Sequence, residues 1–179
     1  LLFMSFAFSE RNTRGILRSS NISPNDVYEN QWALIIGINE YSDYEKLKYA
    51  VEDAKSIETT LKTQYGFPEE NISLLIDQAA TKNGIQNAFY DLSEKTKQND
   101  AVVVFFAGHG VTKKNPGSNE DLGYLVPIDG KRNSLTRTTL SMNDINTFSD
   151  EIPAKSILFL VDACYGGLAA VGQYRSNRD

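Results

Sequence analysis

A thiol and an imidazole, each present once in the chain, stand at matching places in two separate segments. Cys164 lies in Val161-Asp162-Ala163-Cys164-Tyr165-Gly166-Gly167, directly after the apolar run Ser156 to Val161. His109 lies in Gly108-His109-Gly110, directly after the apolar run Ala101 to Ala107. Continuous apolar runs of this kind read as strands buried on both faces. Each strand would carry its reactive group to its C-terminal end, the edge of an open parallel α/β sheet where ligands gather. A thiol beside an imidazole supplies a nucleophile and a base, the minimum for cysteine hydrolase chemistry.

Both residues have plainer readings. A free cysteine usually behaves as a small buried hydrophobe, and a lone histidine is more often a satisfied structural or surface residue. Context favours chemistry. Cys164 is placed just past a buried strand rather than within it, and Gly166 and Gly167 after it allow tight backbone geometry. Asp162 shares the side of Cys164 if the strand geometry persists. Gly108 and Gly110 permit unusual dihedrals around His109 and leave N–H groups to face a ligand.

The elements that must position these groups alternate along the chain. Trp32 to Ile38 is an apolar run bounded by Gly37 and Asn39, a buried strand. Leu47, Ala50, Val51, Ala54, Ile57, Leu61 and Tyr65 recur at helical spacing and stop at Gly66. Asn71 to Ile76 is a second strand, and a helix entered through Thr81 carries Ile85, Ala88, Phe89 and Leu92. After the strand Ala101 to Ala107 come a polar loop, Val111 to Leu122, and a short strand, Gly123 to Pro127. Ser141 to Phe148 is a helix with a Ser141/Asp144 start signal, and Ser156 to Val161 is the last long strand. This rhythm predicts an α/β fold with a mostly parallel sheet and helices on both faces.

Composition narrows the rest. At 179 residues with 41% hydrophobic content, one sizeable core is expected, hence a single main domain. A net charge of −5 argues against nucleic acid and against an anionic membrane as partners. The apolar start, Leu1 to Phe8, is too short to span a bilayer and lacks the features of a secretion signal. A single cysteine excludes an internal disulfide and fits a reducing, cytoplasmic setting. Residues 1–30 read as an N-terminal arm and linker, 31–167 as the catalytic domain, and 168–179 as a flexible tail.

Four ordered blocks resemble the caspase-like fold, and within it the metacaspase and orthocaspase branch. They are Ala33 to Tyr41 (ALIIGINEY), Ala50 to Ala54 (AVEDA), Phe105 to Gly110 (FFAGHG) and Asp162 to Gly167 (DACYGG). The separation of His109 from Cys164 also agrees with the roughly 50 residues of caspase-type signatures. The resemblance implies a caspase-like three-layer sandwich, the large catalytic subunit of a cysteine endopeptidase with a Cys-His dyad. Cys164 would be the nucleophile and His109 the proton shuttle, with the N–H groups of Cys164 and Gly110 as oxyanion hole. No third triad member can be named.

Specificity follows from charge. Asp162 replaces the neutral amide of the caspase signature, turning an environment suited to an acid into one suited to a cation. Asp53 matches a second acidic pocket residue of metacaspases, while a carboxylate favouring a helix N-terminus fits it equally well. Together the two carboxylates predict cleavage after Arg or Lys, with Arg able to bind in bidentate fashion. Ala107 stands where metacaspases often have a pocket serine, so pocket polarity differs.

Many metacaspases need calcium. Here Asp121 and Asn143-Asp144 occupy the place of a fuller acidic cluster, and calcium prefers six to eight oxygen ligands with carboxylate charge. The expectation is no cofactor and activity without calcium. The expected partners are a peptide or protein substrate and a small subunit, or C-terminal remainder, that completes the sheet. Arg175 and Arg178 suggest self-processing in the tail; the plainer reading is a basic surface segment. Two other classes remain: a catalytically silent caspase-like scaffold, and a receiver-like signalling domain with Asp162 as acceptor, in which the glycine-flanked His109 has no role.

Overall fold

The computed structural model describes residues 27–114, 121–165 and 174–176. Its centre is the apolar run of β1, Gln31–Gly37, buried along almost its whole length. On one side β1 pairs in parallel with β2, Ile72–Ile76, and on the other with β3, Ala101–Lys114. Beyond β3 lies β6, Ser156–Tyr165, again parallel and in register from Ala101↔Ser156 to Gly110↔Tyr165. Strands this apolar need cover on both faces, and helices supply it.

Side-chain alternation along the strands sends one set to each face. Ala33, Ile35, Phe105 and Ala107 pack with Ala50, Ala54 and Phe67 beneath α1, Ala50–Tyr65. Leu34, Ile36, Val102, Val104 and Phe106 pack on the other face with Ile85, Phe89 and Leu92 of α2, Lys82–Lys95, and Ile145 of α4, Met142–Glu151. The three-layer sandwich expected from the sequence is therefore present. Its helix ends follow local chemistry. The hydroxyl of Thr81 accepts from Gly84 N at 3.0 Å, Gly66 closes α1 in the left-handed region at φ 72°, and Ser141 and Asp144 form a reciprocal capping box.

The sheet is mixed rather than mostly parallel. Val111 to Leu122, read from sequence as a polar loop, contains the end of β3 and the start of β4, Asp121–Leu125. These pair antiparallel from Gly110↔Leu125 to Lys114↔Asp121, and β4 pairs antiparallel with β5, Leu140–Ser141. Lys113 and Lys114 obscured the strand because this hairpin end projects past the core, and an antiparallel pair can leave charges in water.

A second departure concerns the tail. Tyr174–Ser176 form β7, antiparallel to the start of β6 with Arg175 opposite Ile157, whereas the sequence reading made all of 168–179 flexible. The N-terminal arm up to residue 26 lies outside the described residues.

One close approach fixes the end of the sheet that matters for function. A Cβ on Gly37 would stand 2.6 Å from both the Ala54 methyl and the Ala50 carbonyl, so glycine lets the first turns of α1 dock on the end of β1. At the opposite end the fully buried carboxylate of Asp100 gathers four donors. They are Asn30 N at 3.1 Å, Asn30 Nδ2 at 2.9 Å, Trp32 Nε1 at 3.0 Å and Lys97 N at 3.0 Å.

Candidate active site

β3 and β6 bring His109 and Cys164 together as register partners, Cα opposite Cα. Adjacent strands lie roughly 4.8 Å apart, so these two positions are nearest neighbours across the sheet. Both sit inside their strands rather than just beyond them, because β3 and β6 run on through Gly110 and Tyr165. The same register sets Asp162 opposite Ala107. Alternation then assigns 107, 109 and 162 to one face, the face on which α1 is docked.

The imidazole of His109 is half-buried and held from three sides. Its Nε2 lies 2.7 Å from the main-chain carbonyl oxygen of Glu45. A carbonyl can only accept, so Nε2 carries the proton and Nδ1 of the neutral ring is left as the basic nitrogen. The Tyr41 ring lies at 4.7 Å, tilted on the imidazole, and the Tyr44 ring at 5.6 Å. The backbone N–H of His109 donates to the Tyr41 hydroxyl at 3.0 Å, which in turn donates to the carbonyl of Val126 at 2.9 Å. Burial pushes the Tyr41 phenol well above its ordinary range, so that hydroxyl stays neutral and keeps both roles.

Glu45 is the orienting group the sequence could not supply, because its contribution is a backbone oxygen with no residue signature. It belongs to a segment, 38–48, that has neither helix nor strand. Asp77 anchors the start of that segment, its Oδ1 accepting from Asn39 N at 2.7 Å and Glu40 N at 2.9 Å. Asp77 itself holds a left-handed conformation at φ 41°, the one non-glycine residue to do so among those described.

Gly108 and Gly110 serve differently from expectation. Neither has a positive φ. Gly108 is glycine because a Cβ would meet the Tyr41 hydroxyl at 2.5 Å and the Phe106 ring at 3.0 Å. Gly110 lies between Leu125 of β4 and Tyr165 of β6, one residue beyond the histidine. Gly166 and Gly167 are outside the described residues.

Of the expected pocket residues, Asp162 is exposed on β6 and Asp53 is half-buried in the first turn of α1, its backbone N–H donating to Tyr49 O at 2.8 Å. Neither carboxylate has a hydrogen-bond or ion-pair partner among the described residues. Ala107 is only 1% exposed and packs against Ala50 and Ala54, so its methyl is part of the floor beneath this face.

The residues considered for calcium do not fit a strong site. Asp144 Oδ2 accepts from both Ser141 N and Ser141 Oγ at 2.8 Å, which commits that carboxylate to capping α4. Asp121 is exposed at the start of β4, and among the described residues no three His, Cys, Asp or Glu side chains converge. Of the tail arginines, Arg175 pairs with β6 and Arg178 lies outside the described residues. No helix of the described residues is long and apolar enough to cross a membrane.

Residues 30–178 match the caspase domain family. Metacaspase-6 of Arabidopsis thaliana is 32% identical over 145 residues, 75% of this chain and 38% of that protein. Metacaspase-1 of Eremothecium gossypii is 30% identical over 155 residues, 78% of this chain and 32% of that protein. The chain thus spans about a third of the length of such relatives. A crystal structure of protein GSU0716 from Geobacter sulfurreducens superposes with a TM-score of 0.63 at 18% identity, covering 78% of this chain and 52% of that one. With a family match over most of its length and metacaspases among its relatives, the chain belongs to the caspase-domain family, in the metacaspase branch.

Proposed function

We propose that this chain carries the catalytic centre of a cysteine endopeptidase that cuts after Arg or Lys through a dyad of Cys164 and His109. The observation that carries the reading is the pairing of these two positions in register, with His109 Nε2 committed to the Glu45 carbonyl. A base whose other nitrogen is engaged presents its free nitrogen in one orientation, as nucleophile activation requires.

The chemistry runs in two halves. His109 Nδ1 takes the thiol proton, and the Cys164 sulfur forms a bond to the scissile carbonyl carbon. The resulting oxyanion is held by the N–H groups of Cys164 and Gly110. As the C–N bond breaks, the imidazolium returns its proton to the leaving amine. Water, deprotonated by the same ring, then attacks the thioester, releases the acid product and restores the thiol.

The unpartnered carboxylates of Asp53 and Asp162 support the choice of a cation at the residue before the cut. Asp162 shares the face of His109 by alternation and Asp53 belongs to the helix docked on that face, and a guanidinium can satisfy more than one acceptor. Calcium is not required in this reading, since the Asp144 carboxylate is engaged elsewhere. The partners are a peptide or protein substrate and a further segment or subunit that completes the sheet, and the setting is the reducing cytoplasm. Self-processing at Arg175 would need β7 to leave β6 first; Arg178 is the other candidate site.

Hydrolysis of fluorogenic peptides ending in Arg, Lys or Asp by the wild-type protein, Cys164→Ala and His109→Ala tests the reading. Turnover of Arg and Lys peptides that both substitutions abolish is the expected result. Turnover that survives Cys164→Ala rejects the dyad, preference for Asp rejects the pocket, and no turnover at all leaves the scaffold reading standing.

A further inference from the structure

We propose that Arg132 is a positioning residue for His109, holding the loop carbonyl that orients the imidazole. The proposal rests on the dyad reading and adds a residue distant in sequence from both of its members.

The tip of the 38–48 segment, Ser42 to Glu45, has no regular hydrogen-bonded structure of its own. Among the described residues, its polar contacts outside the segment go to only three residues. Glu45 O meets His109; the other two are Arg132 and its neighbour Lys131. Arg132 grips Asp43 twice, its backbone N–H donating to Oδ2 at 2.7 Å and its Nε–H to the main-chain oxygen at 2.7 Å. Its guanidinium carbon stands 4.5 Å over the ring of Tyr44, the same ring that flanks His109 at 5.6 Å. Lys131 adds a contact from Nζ to Ser42 Oγ at 3.3 Å.

These contacts bear on residues 42 to 44, immediately before the carbonyl in question. Asp77 fixes only the beginning of the segment, at Asn39 and Glu40, and Leu47 N closes it back on Asn39 O at 3.0 Å. Charged donors on a planar fork hold an acceptor in one geometry, and stacking over a tyrosine fixes the fork in turn. Without the Arg132 side chain the tip keeps the backbone N–H bond to Asp43 Oδ2 and the Lys131 contact, but loses the Nε–H bond to the Asp43 carbonyl and the stacking on Tyr44, the two contacts nearest Glu45. The Glu45 carbonyl is then free to drift from Nε2, and displacements of about 1 Å at a catalytic group cost rate heavily.

His109 is the only histidine, so its titration is readable by proton NMR without assignment ambiguity. Around it stand Tyr41 and Tyr44, Cys164 in register, Asp162 further back on β6, and Arg132 behind Tyr44. The sign of the change separates two explanations. Removing a nearby cation would by itself raise the imidazole pKa, since a like charge disfavours the protonated ring. Losing the carbonyl that accepts from the protonated ring lowers it.

The test compares Arg132→Gln with wild type in the full-length protein. The expected result is a displacement of the imidazole limb of the pH–rate profile, and of the His109 NMR titration, to lower pH. On an Arg-ending peptide kcat should drop about tenfold, with KM within about twofold. A rise or no change in the His109 pKa overturns the proposal, as does an effect confined to KM. Arg132→Lys, which keeps the charge but not the planar fork, should shift the titration part of the way, and it carries the test if Arg132→Gln does not fold. The NMR readout stands without turnover, so a silent wild-type enzyme would refute the peptidase reading and leave this inference decidable.

Discussion

Gly108 and Tyr41 are fitted to one another: the tyrosine hydroxyl occupies the space where a side chain at 108 would begin, 2.5 Å from an ideal Cβ. That hydroxyl is buried and joins the backbone N–H of His109 to the carbonyl of Val126. The glycine before the histidine thus exists for a tyrosine 67 positions earlier, and not for backbone freedom.

Tyr41→Phe should therefore leave a buried donor and a buried acceptor unpaired and cost about 1–3 kcal/mol in denaturant unfolding. It should also change the alkaline behaviour. Burial raises the phenol above its ordinary value of 10.0, so above that pH the unfolded chain gives up a proton that the folded chain keeps. Stability from this group is complete below about pH 10 and falls as pH rises further. Tyr41→Phe should flatten that fall, as read by urea melts between pH 8 and pH 11. An unchanged alkaline slope would show that Tyr41 does not carry it. Gly108→Ala should be at least as damaging, since the added methyl must displace the hydroxyl or the Phe106 ring.

The two unpartnered carboxylates predict a charge-selective pocket. Asp162→Asn keeps the size of the side chain and removes the charge, and should reduce kcat/KM for an Arg peptide about tenfold or more. Asp53→Asn should act in the same direction, and raised salt should weaken the wild-type preference more than that of either variant. If both variants process Arg peptides like wild type, the cation is recognised elsewhere.

Calcium offers a sharper contrast with the metacaspase pattern. Since Asp144 caps α4 with both Ser141 contacts at 2.8 Å, a chelator should leave turnover within about twofold of the untreated enzyme. Asp144→Asn should act through stability, losing about 1 kcal/mol of capping. Complete loss of turnover in chelator, restored by added calcium, would reverse this reading.

Much of this was legible in the sequence, for identifiable reasons. β1, β2 and α1 announce themselves because apolar continuity and helical spacing are local, and so do the Thr81 and Ser141 caps. His109 and Cys164 could be singled out because each is unique in the chain and follows a buried strand. The hairpin of β3 and β4 was hidden, since Lys113 and Lys114 mimic a loop when a strand leaves the core. The Glu45 carbonyl was hidden in a stricter sense. A backbone acceptor can be supplied by almost any residue, and its position depends on Asp77 and Arg132, whose links to residues 39, 40 and 43 exist only in the folded chain.

Asp100 escaped notice for the opposite reason: a carboxylate between a helix and a strand looks like an exposed turn residue, yet it is fully buried with four donors around it. It ties Asn30 and Trp32, at the start of β1, to the turn at Lys97 before β3. Asp100→Ala would leave the Asn30 and Lys97 backbone donors and the Trp32 indole without an acceptor. Each such loss costs about 1–3 kcal/mol, so about 3 kcal/mol or more in total is expected. The site at His109 and Cys164 lies at the other end of the same strands, about 25–30 Å away at roughly 3.3 Å per residue. Thermal unfolding should fall steeply in this variant while kcat/KM per folded molecule stays close to wild type. A variant of undiminished stability would show that the donors find water instead, and a selective loss of kcat would show that the strand register set here reaches the catalytic end.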